Sequence, residues 1–151
     1  MVCSGIVLIH EPTIRRVFGL WSSAKCAVVG IGAPPLLRQS IPAFVPTDAI
    51  SMRSAVGDVC SRFLDRAGEP VAFPGLERLV ATPLEVLREL PVSIGIAVGQ
   101  EKIAGIIAAA RGGYINHLVT DSPTAVAIVA AVQDAEPPRG PAKKRTRLVR
   151  S

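Results

Sequence analysis

At 151 residues the chain has room for one domain with a sizeable core. Its 49% hydrophobic content, with only 4% aromatic residues, suits an Ala/Val/Ile/Leu-rich α/β interior, and no apolar run reaches membrane-spanning length. The formal charge of +5 is misleading: Arg139, Lys143, Lys144, Arg145, Arg147 and Arg150 fall in 139–151 with no acid, so residues 1–138 sum to −1 and give no electrostatic ground for nucleic-acid binding.

Met1 to His10 is a short apolar segment of uncertain role, without the basic n-region and cleavage site of a signal peptide. Glu11-Pro12-Thr13 opens a helix running to about Ser22, with Ile14, Val17, Phe18 and Trp21 on one face. Cys26 to Ile31 reads as a strand ending in Gly30-Ile31-Gly32. The proline-rich stretch Ala33 to Pro46 lacks periodicity and reads as a loop, and Thr47 to Ser54 as a short helix. Val56 to Leu64 reads as one strand, followed by a turn at Gly68-Glu69-Pro70 and another strand over Leu76 to Ala81. Thr82-Pro83-Leu84-Glu85 has the form of a capping box with proline at the first helical position, and its helix ends near Pro91.

The most informative stretch follows. Val92 to Val98 is an apolar run of strand length, closed by Gly99. Gln100 to Arg111 carries Ile103, Ile106, Ile107 and Ala110 at helical spacing. Gly112 and Gly113 stop this helix as left-handed residues do. Tyr114 to Thr120 is a second buried strand, and Asp121-Ser122-Pro123 caps a helix reaching about Val132. This is a βαβ unit, which predicts a mostly parallel sheet flanked by helices, with any ligand beyond the C-terminal ends of the strands. Gln133 to Ser151 reads as a disordered basic tail.

Candidate chemistry is sparse. Gly30-Ile31-Gly32 has two glycines of a dinucleotide fingerprint, but Ala33-Pro34-Pro35 cannot begin the helix that motif needs. It fits better as backbone that approaches a small ligand. Lys102 stands in the first turn of a helix, against the dipole; a bound anion would relieve this, whereas the ordinary alternative is a solvated lysine or a pair with Glu101. Asp58 sits in a strand-like run that disfavours aspartate, as an acceptor for sugar hydroxyls or as a turn residue bonding its own backbone. Asp121 is explained as a helix cap. His117 completes no triad. Cys3, Cys26 and Cys60 form no CxxC and, with His10 and His117, no zinc pattern, which fits buried, reduced thiols in a cytoplasmic protein without metal or cofactor.

Two longer patterns carry a resemblance. Residues 55–71 follow the form AVGD-[IV]-C-x-R-F-[FL]-D-x-x-G-x-P-V, and 101–121 follow EK-[IV]-x-x-I-x-A-A-x-R-G-G-x-I-N-x-L-V-T-D. With Val29-Gly30-Ile31-Gly32 they resemble the sugar-binding domain of the sorbose-operon-regulator (SorC-like) transcriptional regulators, over about Glu11 to Ala131. The resemblance implies a fold similar to ribose-5-phosphate isomerase and glucosamine-6-phosphate deaminase. It also implies a sugar or phosphosugar effector near Gly32, Asp58 and Lys102, a homo-oligomer, and no catalytic residues.

Departures from the pattern are specific. Ser54 and Ser61 replace usual glycines, and the loop after Gly32 is proline-rich. Neither the helix-turn-helix nor the early Gly/Thr-rich phosphate-wrapping segment is visible. The expected organisation is therefore an uncertain segment at 1–10, the C-terminal part of a sugar-binding domain at 11–132 and a basic tail at 133–151. The missing N-terminal half would leave part of the sheet uncovered, and this chain alone would not bind a specific operator. The alternatives from other classes are a sugar-phosphate isomerase-like enzyme and an oligomerisation remnant that binds nothing.

Overall fold

The computed structural model describes residues 11–37, 46 and 50–135. Its helices are α1 (Pro12–Ser23), α2 (Leu84–Glu89), α3 (Ile103–Arg111) and α4 (Ser122–Ala135), and its strands are β1 (Cys26–Gly32), β2 (Gly57–Val59), β3 (Arg62–Leu64), β4 (Val92–Ile96) and β5 (His117–Val119). They form one sheet of order β3-β2-β1-β4-β5. β1, β4 and β5 run parallel, with Val29 opposite Gly95 and Ile96 opposite Val119. β2 and β3 run antiparallel beside β1, with Gly32 opposite Asp58 and Asp58 opposite Phe63. The predicted βαβ unit is present as β4–α3–β5, within a mixed sheet that is mostly parallel.

Alternation along the strands decides what is covered. On one face Val29 and Ile31 of β1 are buried against Ile106 and the alanines of α3, together with Val59, Leu64 and Tyr114. The other face is open over the parallel strands: Val28, Ile96 and Val119 are 63%, 46% and 54% exposed. Beyond β2 a second cluster gathers Met52, Ala55, Phe63, Val71 and Phe73, with the two phenyl rings edge to face at 5.7 Å. Helix α1 has the predicted cap, Ile14 N donating to Glu11 Oε2 at 3.0 Å, but buries none of its residues.

The run read as one strand at 56–64 is a hairpin. Cys60 and Ser61 both have positive φ, 51° and 62°, the left-handed pair that a two-residue hairpin turn requires. The strand expected at Leu76 to Ala81 is a single 3-10 turn, Leu76–Arg78. The outer edge of β3 is already occupied, because Leu64 bridges to Pro70 and Val71 N donates to Phe63 O at 2.8 Å. The expected capping box at Thr82 is absent: Pro83 is itself the N-cap of α2, and no side chain caps it. Thr47 to Ser54 is helical over Ile50–Ser54, and Thr47 to Ala49 lie outside the described residues.

Three further boundaries move. The helix read from Gln100 opens with a 3-10 turn over Gln100–Lys102 before α3 begins. Only Gly113, at φ 72°, is left-handed, while Gly112 stays in the helical region. The strand read from Tyr114 shortens to His117–Val119 because side chains claim the preceding residues. Tyr114 is fully buried; its hydroxyl donates to Gly68 O at 2.9 Å and accepts from Arg88 Nη2 at 3.0 Å. Ser93 Oγ donates to Tyr114 O at 2.6 Å, and Ser93 N donates to Asn116 Oδ1 at 2.9 Å. Helix α4 runs to Ala135, three residues into the segment read as tail, and 136–151 lie outside the described residues, as do Met1 to His10.

The tightest packing joins β2 to α3. A Cβ on Gly57 would lie 2.6 Å from Gly105 Cα and 2.8 Å from Gly32 O, so neither glycine tolerates a side chain without separating strand from helix. Gly57→Ala and Gly105→Ala are each expected to lower stability by about 1–3 kcal/mol. Gly19→Ala, in α1 with nothing within 4 Å, should instead raise it by about 0.5–1 kcal/mol. Urea unfolding checks this, and equal midpoints for Gly57→Ala and Gly19→Ala would remove the glycine contact as a constraint.

Candidate functional site

Gly32, Asp58 and Lys102 come from three separate elements. Gly32 ends β1 and faces Asp58 across the β1–β2 ladder. Lys102 closes the 3-10 turn that leads into α3, one helical turn before Gly105. Gly105 lies against Gly57, and the Gly32 carbonyl touches both glycines. The contact between small residues therefore draws the end of β1, the start of β2 and the start of α3 to one corner, at the C-terminal ends of the parallel strands.

Asp58 is buried, and its Oδ2 accepts a hydrogen bond from Ser61 N at 3.0 Å. It therefore holds the hairpin turn, as one of its two readings predicts. Its charge also acts on Cys60: burial first, and then the Asp58 carboxylate, push the Cys60 thiol above its ordinary value. Cys26 is exposed and Cys60 half-buried, so neither is the buried thiol expected, and Cys3 lies outside the described residues.

Lys102 is half-buried and forms no ion pair with Glu101 among the described residues. The Glu101 carboxylate is folded back over Gly99, whose φ of 117° and ψ of 150° allow the sharp exit from β4. This exit is pinned from α4, because Gly99 N donates to Thr124 Oγ1 at 3.0 Å. Asp121 caps α4 as predicted, accepting from Thr124 N at 3.0 Å; its carboxyl is held below the usual range by the hydrogen bonds of Thr124. His117 is exposed, with Nδ1 2.6 Å from Asn116 Oδ1.

An open cleft of about 780 Å³ is lined by sequence neighbours of these three residues, but Gly32, Asp58 and Lys102 are not themselves among its lining residues. Pro34 lines it two residues beyond Gly32, Val56 two residues before Asp58, and Gln100, Glu101 and Ala104 around Lys102. Arg53, in the short helix Ile50–Ser54, and Arg66, in the turn after β3, line it as well; isolated arginines carry no sequence signal beyond that of ordinary solvated charges. Arg66 stands on a built turn. Asp65 Oδ1 accepts from Ala67 N and Glu69 N, both at 2.9 Å, and Arg111 Nη1 donates to Arg66 O at 2.9 Å. Among the described residues no group of three His, Cys, Asp or Glu gathers as metal ligands, and no helix is long and apolar enough to cross a membrane.

The chain has close relatives. A family model described as "Putative sugar-binding domain" matches residues 6–130. The sorbitol operon regulator of Klebsiella pneumoniae is 36% identical over 122 residues, 78% of this chain and 39% of that protein. The transcriptional regulator LsrR of Escherichia coli K12 is 36% identical over 127 residues, 80% of this chain and 40% of that protein. In the crystal structure of the full-length sorbitol operon regulator SorC from Klebsiella pneumoniae the matching part superposes with a TM-score of 0.74 at 30% identity, covering 85% of this chain and 44% of that one. The chain thus spans about two fifths of the length of the curated relatives it matches.

The arrangement around Cys60 is directly measurable. With iodoacetamide at mildly alkaline pH, peptide mass spectrometry should find Cys26 alkylated well before Cys60, because the raised Cys60 pKa leaves less thiolate. Asp58→Asn keeps an acceptor for Ser61 N and removes the charge, so it should speed alkylation of Cys60 and leave Cys26 as it was. Equal Cys60 rates in the two proteins would place the Asp58 charge elsewhere.

Proposed function

This chain belongs to the SorC-like family of sugar-binding domains found in bacterial transcriptional regulators, and on that premise we propose that it binds a sugar or phosphosugar at the corner formed by Gly32, Asp58 and Lys102. The observation that supports it is the approach of Gly57 to Gly105 beneath the Gly32 carbonyl, which brings the end of β1, the start of β2 and the start of α3 together near a cleft of small-molecule size lined by their sequence neighbours. Gly32 offers backbone, Asp58 an acceptor for hydroxyls, and Lys102 an ammonium for a sugar oxygen or an anionic group.

In this reading binding is reversible and non-catalytic, in the cytoplasm, and the effector alters how a regulator associates and holds DNA. The named relatives are transcriptional regulators, which supports a binding role over an isomerase-like one. We assign operator recognition to parts of such regulators that this chain does not match. The open apolar sheet face at Val28, Ile96 and Val119 supports association with further polypeptide.

Calorimetry with sugars and phosphosugars tests the site. Lys102→Ala is expected to weaken binding roughly ten- to a hundredfold, about 1.5–3 kcal/mol. Asp58→Asn keeps the turn acceptor and should weaken it as well, whereas Asp58→Ala would confound ligand contact with hairpin stability. A ligand whose affinity neither Lys102→Ala nor Asp58→Asn changes would move the site elsewhere. Turnover of a bound phosphosugar would favour the isomerase-like alternative. Sedimentation velocity should show concentration-dependent association that Val28→Lys and Val119→Lys suppress; a concentration-independent monomer would contradict the association.

A further inference from the structure

We propose that Tyr114 is a positioning residue of the cleft: with Arg88 and Arg111 it holds the 65–69 turn in the place that a bound sugar requires, without itself touching the sugar. The inference rests on the sugar-binding reading above, with the cleft as the space that the ligand occupies. Asp65, Arg66 and Ala67 of this turn line the cleft, whereas Tyr114, Arg88 and Arg111 do not. Tyr114 is fully buried.

Bonds within the turn fix its shape. Asp65 Oδ1 accepts from Ala67 N and Glu69 N, Asp65 N donates to Glu69 O at 2.9 Å, and Gly68 N donates to Asp65 O at 3.0 Å. Its place is fixed from outside. Leu64 and Pro70 bridge across its two ends, and the other anchors come from the C-terminal end of α3. Arg111 Nη1 donates to Arg66 O and the Tyr114 hydroxyl to Gly68 O, both at 2.9 Å. Gly68, at φ 91°, lies so close to the helix end that a Cβ there would stand 2.5 Å from Gly112 N and 2.6 Å from Ala108 O. The turn is thus seated on the end of α3 and hooked to it by two hydrogen bonds.

The Tyr114 hook is itself held. Arg88, on α2, donates from Nη2 to the Tyr114 hydroxyl at 3.0 Å and from Nε to Gly112 O at 2.6 Å, and its guanidinium carbon lies 4.7 Å from the ring centre. A hydroxyl that accepts from a cation is polarised and donates more strongly. Burial pushes the Tyr114 hydroxyl above its ordinary value, outweighing the opposing effect of Arg88, so it stays a donor at neutral pH. A cleft wall fixed before a ligand arrives has little order left to lose on binding. A loosened wall must be ordered by the ligand, and affinity falls accordingly.

Hydrogen exchange followed by mass spectrometry on the full chain reads the turn directly, through peptides covering 62–72. Tyr114→Phe keeps the ring and removes the hook. It should speed exchange of the 65–69 amides about two- to tenfold, the worth of one hydrogen bond. In calorimetry it should weaken binding of ribose 5-phosphate, fructose 6-phosphate or their unphosphorylated parents within the same range. Arg88→Met should loosen the same amides and add little to Tyr114→Phe in the double variant, whereas Arg111→Met, which removes the other hook, should add to it. Ile128→Ala, in α4 and packed against the main core, is the stability reference: it should lower the melting temperature without singling out 65–69. Exchange in Tyr114→Phe that rises evenly along the chain, as in Ile128→Ala, or does not rise at all, overturns the positioning role. A loosened turn with wild-type affinity also overturns it, and each of these results leaves the sugar-binding reading standing. If the wild type binds none of these sugars, the reading and the positioning role fall together.

Discussion

The arrangement depends on one close approach, that of β2 to the second residue pair of α3. Gly57 and Gly105 meet with no side chain between them, and the Gly32 carbonyl closes the third side, 3.0 Å from where a Cβ on Gly105 would stand. A strand and a helix carrying ordinary side chains would sit farther apart. Here they meet backbone to backbone, and the residues flanking each glycine are brought along. Asp58 follows Gly57, Lys102 precedes Gly105 by three, and Gly32 supplies the carbonyl itself. The corner is a consequence of packing before it is a matter of polar chemistry.

The same approach explains why the sheet is layered unevenly. With α3 drawn close, Val29, Ile31 and Val59 find their partners in Ile106 and the helix alanines, and Gly95 leaves room for the ends of Ile31 and Ile115. Among the described residues the opposite face has no comparable cover over β1, β4 and β5. At β2 and β3 that opposite side is filled by the Phe63–Phe73 cluster, on the face that Asp58 shares with Phe63. Asp58 thus stands between a filled part of this face and an open part.

Much of this was legible in the residues, for physical reasons that differ by element. β4, α3 and β5 follow apolar periodicity closed by glycines, and the cap at Asp121 is a local interaction that local sequence encodes. The hairpin was not legible. Its turn residues, Cys60 and Ser61, adopt the left-handed region without being the Gly or Asn that usually marks it, and Asp58 supplies the missing stabilisation from outside the turn. Residues 114–116 have strand composition, yet Tyr114 and Asn116 are claimed by Gly68, Arg88, Ser93 and Pro91, all distant in sequence. Arg53 and Arg66 carry no local signal of their position, since the cleft they line is created only by the assembled fold.

In the proposed site Asp58 would serve structure and ligand together. A carboxylate has about four acceptor positions, and a main-chain amide takes one. Holding the turn through Ser61 N is therefore compatible with accepting a sugar hydroxyl from another direction. The turn bond fixes the carboxylate before any ligand arrives, so little side-chain order remains to be lost on binding. It also keeps the carboxylate on the strand residue that pairs with Gly32.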